Sequence, residues 1–147
     1  EVGERRIANI DSLTDWIGQD FSSAKVLKID FQPLSWESQL RVLSKTSICI
    51  APPGSSSFRM LFLPKGAYAI ILSRPTADIK YSNWESDAWF RYQSYFGILN
   101  YHVEKAELAS NSTDASVLVD SDIFITRSKI KELIEQALKL QVKHGEN

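Results

Sequence analysis

Two short apolar runs constrain the fold of this chain more than any other feature. Residues 47–51 read Ser-Ile-Cys-Ile-Ala and stop at Pro52, and residues 67–72 form an apolar run directly after Gly66. Proline ends the first run as a strand, because it has no N–H group to donate to a neighbouring strand. Continuous apolar runs of this length are typical of strands covered on both faces. The pattern therefore predicts a buried sheet whose strands are mostly parallel.

Amphipathic helices are predicted on either side of these runs. A first helix begins at a cap residue, Asp11 or Ser12, and is closed by Gly18 and the polar pair Ser22-Ser23. A second helix is capped by Ser35 and carries Gln39 near its centre. The final helix covers residues 127–142, where apolar residues recur at helical spacing: Ile130, Leu133, Ile134, Ala137 and Leu138.

The remaining segments add two strands, a further helix and a loop. Residues 25–31 are rich in branched side chains and predict a strand, and residues 101–103 predict another. An aromatic helix is expected over residues 84–96 with Gly97 as its stop, and residues 109–116 read as a mobile loop. Strands that alternate with helices indicate one α/β domain built as a sandwich.

Composition excludes several classes of function. Seventeen basic and 18 acidic residues give a net charge of −1, which argues against a general nucleic-acid-binding surface. No apolar run is long enough to be a transmembrane segment. A single cysteine, Cys49, excludes an internal disulfide and a cysteine-based zinc site, and two histidines give little basis for a metal centre. We expect no metal and no other cofactor.

Localisation stays open at this stage, between a bacterial cytoplasm and the lumen of a secretory pathway. The N-terminus shows no targeting peptide, but a start at Glu1 in place of Met indicates a fragment. The triplet that begins at Asn111 is a glycosylation sequon, a weak indication of a lumenal protein.

The segment that joins the first apolar strand to the next helix is the strongest candidate site. Residues 48–57 contain the strand, a turn at Gly54 and three consecutive serines. Ligands of open α/β sheets bind beyond the carboxyl ends of strands, and a helix N-terminus offers free N–H groups to phosphate. The functional interpretation is a phosphate-binding loop, and the alternative is a helix cap with two spare serines. The lack of a Gly-Lys-Ser/Thr ending excludes a P-loop.

The sequence around this loop resembles the signature region of glycosyltransferase family 61. Corresponding positions are a helical glutamine, the loop glycine, the end of a short helix and a Pro-x-Gly turn: Gln39, Gly54, Phe62, Pro64 and Gly66. Residues 6–9 are similar to an Arg-x-Ile-x-Asn stretch of the family, and the 84–96 helix, Gly97 and Tyr101 also fall at comparable places. The similarity extends over residues 5–104.

This resemblance implies a Rossmann-like three-layer sandwich that forms the C-terminal half of a GT-B fold. Residues 1–147 would be one domain that binds a nucleotide-diphosphate sugar, with UDP favoured, for transfer to a hydroxyl of a glycan or protein. The acceptor half, with any catalytic base, would lie in an N-terminal domain absent from this chain. The substrate-binding residues carried over or placed near the cleft are Arg6, Pro53, Gly54, Ser55, Ser56, Ser57 and Arg74.

Two departures from the family pattern leave other functions open. Pro53 stands where the family has histidine, and Ile71 stands where a glutamate is common. The alternatives are another GT-B-type transferase that modifies polysaccharides, such as a pyruvyl transferase, and a non-catalytic domain that binds a partner. Arg59 is expected to be a surface residue, and the aromatic residues of the 84–96 helix are expected to be core.

Overall fold

The computed structural model of the chain describes residues 6–52, 55–73, 97–102 and 122–145. In chain order the elements are α1 (Ile10–Asp20), α2 (Trp36–Leu43), β1 (Ile48–Ala51), a 3₁₀ helix (Ser55–Phe62), β2 (Tyr68–Ser73), β3 (Gly97–His102) and α3 (Arg127–Gly145). The predicted α/β class is confirmed. The helix predicted over residues 84–96 and the loop predicted over residues 109–116 lie outside the described residues.

The strands form one parallel sheet in the order β1-β2-β3. Ile48 lies opposite Tyr68, which in turn lies opposite Gly97. Because the strands are parallel and in close register, Ala51, Ser73 and His102 end at one side of the sheet. We call this side the carboxyl edge. The parallel arrangement predicted from the continuous apolar runs is therefore confirmed for the described strands.

The central strand β2 supplies residues to two cores, one on each face of the sheet. Tyr68, Ile70 and Leu72 are buried on the face covered by α1 and α3. Ala69 and Ile71 are buried on the opposite face, beneath α2 and the 3₁₀ helix. Successive strand side chains point to opposite faces, so an uninterrupted apolar run is what a two-sided core requires. The result is the predicted three-layer, Rossmann-like sandwich.

Contacts at both ends of α3 show that it runs antiparallel to the strands. Near its C-terminus, Gln141 Nε2 donates to the carbonyl oxygens of Ser47 and Gly66, at 3.0 and 3.1 Å, just before β1 and β2 begin. In its first turn, Lys129 Nζ lies 5.2 Å from the ring centroid of Tyr101, near the end of β3. The start of α3 therefore lies at the carboxyl edge.

The apolar stripe predicted for α3 is confirmed except at one position. Ile130, Leu133, Ile134 and Ala137 are buried against the sheet, as their spacing predicted. Leu138 is 40% exposed, so its assignment to the core was wrong. The stripe of α3 is narrower than the sequence pattern, because Ala137 already occupies the contact at this turn.

The start predicted for α1 was wrong, and its end lies between Gly18 and Ser22, among the residues predicted to close it. The helix begins at Ile10 after Asn9, whose side chain makes two hydrogen bonds with the backbone of Ile125 instead of capping the helix. It continues past Gly18 to Asp20, which accepts two hydrogen bonds from Arg127. A glycine costs a helix only about 1 kcal/mol, which tertiary contacts of this kind outweigh.

The strand predicted over residues 25–31 does not form in the structure. These residues are irregular and pair with no strand in the described part of the chain. They cross from Asp11 on α1, which binds Lys28, to the opposite face of the sheet, where Phe31 joins the second core. A branched, apolar composition favours a strand only where a partner strand offers its hydrogen bonds.

The start of β3 also differs from the prediction. The strand begins at Gly97, four residues before the predicted segment of residues 101–103. A Cβ atom at Gly97 would lie 2.2 Å from Cε1 of the Tyr68 ring. Glycine is therefore required here for close packing between neighbouring strands, a need that the sequence pattern does not reveal.

Candidate functional site

The loop predicted to bind phosphate leads from the carboxyl edge into the 3₁₀ helix. β1 ends at Ala51, and Ser55, Ser56 and Ser57 form the first turn of that helix. Pro53 and Gly54 lie between them, outside the described residues. The first N–H groups of a helix have no partner within it, so a turn in this position is suited to donate to a ligand next to the strand end. The predicted strand–loop–helix order is confirmed, and phosphate binding by these serines stays a prediction.

Arg6 is held by the segment that precedes α3. Its backbone N–H donates to Asp122 Oδ1 at 2.9 Å, and its carbonyl oxygen accepts from the N–H of Ile123 at 2.8 Å. Ile7 forms a parallel bridge with Ile123, which lies just before α3. Arg6 is exposed, and its partners Asp122 and Ile123 precede the first residue of α3 by five and four residues. Arg74 lies outside the described residues.

The side chain of Gln39 fixes the segment that leads into α2, in the layer that contains α2 and the 3₁₀ helix. Gln39 is the buried polar residue of α2, 8% exposed. Its Nε2 donates to the carbonyl oxygens of Phe31 and Leu34 at 3.1 and 2.9 Å, which fixes the chain before the helix. Ser35 caps α2 as predicted, by accepting a hydrogen bond from the N–H of Ser38. These three side-chain bonds therefore position the turn that leads into α2.

Arg59 completes the hydrogen bonds of this glutamine. Its Nε donates to Gln39 Oε1 at 2.8 Å, and its guanidinium carbon lies 5.6 Å from the ring centroid of Phe31. The side chain is half-buried, so the prediction of a simple surface residue was wrong. One signal was available in the sequence, because Arg59 is the single charged residue among the apolar residues 58–63.

Comparison with known families agrees with this arrangement. Residues 1–70 match the family model of glycosyltransferase 61. Over these residues the chain is similar to glycosyltransferase family 61. The resemblance seen in the sequence is thereby confirmed, and the match supports a glycosyltransferase. No curated protein matches the chain significantly.

The glycosyltransferase 61 match covers α1, α2, β1, the 3₁₀ helix and the first residues of β2. It includes Arg6, Gln39, the three serines and Arg59, and it ends within β2. The similarity proposed for residues 71–104 lies beyond the matched segment. Among the described elements, β3 and α3 lie entirely outside the matched residues.

The position at which the family commonly has glutamate is part of the core in this chain. Ile71 is 1% exposed and packs beneath α2 and the 3₁₀ helix. A side chain in this place has no access to a ligand at the carboxyl edge.

Neither nucleophilic nor metal chemistry is supported by the described residues. Burial raises the pKa of the Cys49 thiol to about 11, so that the group stays protonated and unreactive at neutral pH. No group of three histidine, cysteine or acidic side chains suited to a metal occurs in the described ranges. Within those ranges, no helix has the length and apolar character needed to cross a membrane.

Proposed function

We propose that this chain is the donor-binding domain of a glycosyltransferase. It binds a nucleotide-diphosphate sugar, with UDP as the favoured nucleotide, and presents the sugar for transfer to a hydroxyl of a glycan or protein. The observation that carries the proposal is the family match over β1, the serine loop and the 3₁₀ helix. In open α/β sheets such loops hold ligands beyond the carboxyl ends of the strands.

The residues at the carboxyl edge have roles that follow from their chemistry. Backbone N–H groups and hydroxyls of Ser55, Ser56 and Ser57, with the close backbone approach allowed by Gly54, would hold the phosphate oxygens. Arg6 would neutralise charge on the diphosphate, as would Arg74 after β2. When the bond between sugar and diphosphate breaks, negative charge grows on the leaving phosphate oxygen. Donors that are already in place stabilise that charge without reorganising.

The proposal divides the reaction between two domains. This chain would position the donor and stabilise the leaving diphosphate without a metal ion. Binding of the acceptor, and removal of the proton from its hydroxyl, would be tasks of an N-terminal domain of the same protein.

Charge reversal at Arg6 tests the proposal by isothermal titration calorimetry with UDP. The unmodified chain is expected to bind UDP saturably, and Arg6→Glu is expected to abolish this binding. The control is Lys65→Glu, a reversal of the same size in the turn before β2, at the opposite edge of the sheet. This control should bind UDP like the unmodified chain. Equal affinity of Arg6→Glu and Lys65→Glu would refute the role of Arg6.

A panel of ligands separates the proposal from its alternatives. Preference for UDP over GDP and CMP would support a UDP-sugar donor. Phosphoenolpyruvate that competes with the nucleotide would instead favour a pyruvyl transferase. If no nucleotide binds to the chain or to the full-length protein, the domain does not bind a donor and the proposal fails.

A further inference from the structure

We infer that Arg59 contributes a guanidinium to the diphosphate of the donor, and that Gln39 holds it in place for this task. The inference rests on the proposed function, because it assumes that a nucleotide diphosphate binds at the carboxyl edge. It adds to that function a specific cation from the layer of α2 and the 3₁₀ helix.

Arg59 is held at two points on its side chain. The hydrogen bond from Nε to Gln39 Oε1 fixes the plane of the guanidinium, and the ring of Phe31 lies against its carbon at 5.6 Å. Gln39 is itself immobilised by its two bonds to backbone carbonyl oxygens. An arginine gives up considerable rotamer freedom in such a site. This ordering is already complete before a ligand arrives, which favours binding.

The two residues that hold Arg59, Gln39 and Phe31, are neutral, so neither compensates its positive charge. Arg41 and Arg127, by contrast, pair with the carboxylates of Glu37 and Asp20. Across the described ranges, Arg59 forms no ion pair, and its terminal nitrogens Nη1 and Nη2 have no hydrogen-bond partner. An ordered arginine with two free donors is suited to a bidentate contact with phosphate.

The position of Arg59 along the chain suits a ligand held by the serine loop. Arg59 follows Ser55 by four residues in the same 3₁₀ helix, a separation of about 8 Å along the axis. Phe31, which lies against the guanidinium, and Ala51, the last residue of β1, both pack against the second core. A diphosphate bound at the first turn of this helix would therefore lie N-terminal to Arg59 along the helix axis, toward the end of β1.

Titrations with UDP, uridine and inorganic pyrophosphate test this inference. Arg59→Gln is expected to weaken UDP about 10- to 100-fold, the effect of losing a charge-assisted contact, and to leave the weak binding of uridine unchanged. Pyrophosphate should compete with UDP on the unmodified chain and lose that ability in the variant. The UDP affinity of Arg59→Gln should also depend less on salt, because one attractive charge is gone.

Two further variants keep the result interpretable. Arg41→Gln removes the same charge from an exposed position on α2 and should change UDP affinity less than twofold. Arg59→Lys retains the charge but loses the fork of donors, and should bind UDP more weakly than the unmodified chain at a temperature at which both proteins are folded. A loss of affinity confined to Arg59 variants that remain folded supports the inference.

The outcomes separate this inference from the proposed function. If the unmodified chain and the full-length protein fail to bind UDP, the proposed function fails and the role of Arg59 fails with it. If UDP binds and Arg59→Gln binds it with unchanged affinity and unchanged salt dependence, the role of Arg59 alone is overturned.

Discussion

Replacing Gln39 with methionine tests how much the hydrogen bonds of this buried side chain stabilise the domain. Methionine is similar in length, so Gln39→Met removes the polar contacts while largely filling the same space. The two carbonyl oxygens of Phe31 and Leu34 lose their donor, and Arg59 loses its acceptor. The change therefore isolates the hydrogen bonds of one buried side chain.

The expected loss of stability follows from these three bonds. Each neutral hydrogen bond contributes about 1 kcal/mol, and the bond to the charged Arg59 contributes about 1.5–3 kcal/mol. Because Arg59 is half-buried, water replaces part of what its Nε loses. We therefore expect Gln39→Met to lower the free energy of unfolding by about 3 kcal/mol, a large effect for a single substitution.

Urea unfolding followed by circular dichroism measures this difference directly. The control is Gln136→Met, on the exposed face of α3, which should change the free energy of unfolding by less than about 0.5 kcal/mol. The slope of unfolding against urea should be the same in all three proteins. A loss below about 1 kcal/mol for Gln39→Met would refute the reasoning, since it would mean that the bonds contribute little.

Two other predictions concern packing and pH. Gly97→Ala places a Cβ atom 2.2 Å from a tyrosine ring and should destabilise the domain by about 1–3 kcal/mol in thermal unfolding. Gly18→Ala, where nothing lies within 4 Å, should instead stabilise α1 by up to about 1 kcal/mol. The hydrogen bonds from Arg127 lower the pKa of Asp20, so their contribution is present at neutral pH and is lost as the pH falls through that lowered value. Asp20→Asn should therefore unfold with less dependence on acid pH than the unmodified chain, and an unchanged acid profile would contradict this.

The parts of the fold that could be predicted are those fixed by local patterns. β2 is buried on both faces, so its apolar run identified it without knowledge of its neighbours. The periodicity of α3 located its buried face, and Ser35 marked the start of α2 through its side-chain cap. In each case, the residues that form the element also carry the signal.

The parts that were missed depend on contacts between distant segments. The side chain of Asn9 donates a hydrogen bond to the carbonyl oxygen of Ile125, 116 residues away, and therefore does not cap α1. Residues 25–31 have the composition of a strand but no partner in the described part of the chain. Likewise, Gln39 lies 20 residues before Arg59 in the sequence, and no local pattern pairs them.

The central claim is that a nucleotide diphosphate binds at the carboxyl edge, and amide chemical shifts test it most directly. UDP would be titrated into isotope-labelled chain while the backbone amides of both edges are followed. We predict saturable shifts at Ser55, Ser56, Ser57 and Arg6, with little change at Ser47 and Gly66 on the opposite edge. Shifts confined to the opposite edge, or no saturable shift with either the chain or the full-length protein, would contradict the account.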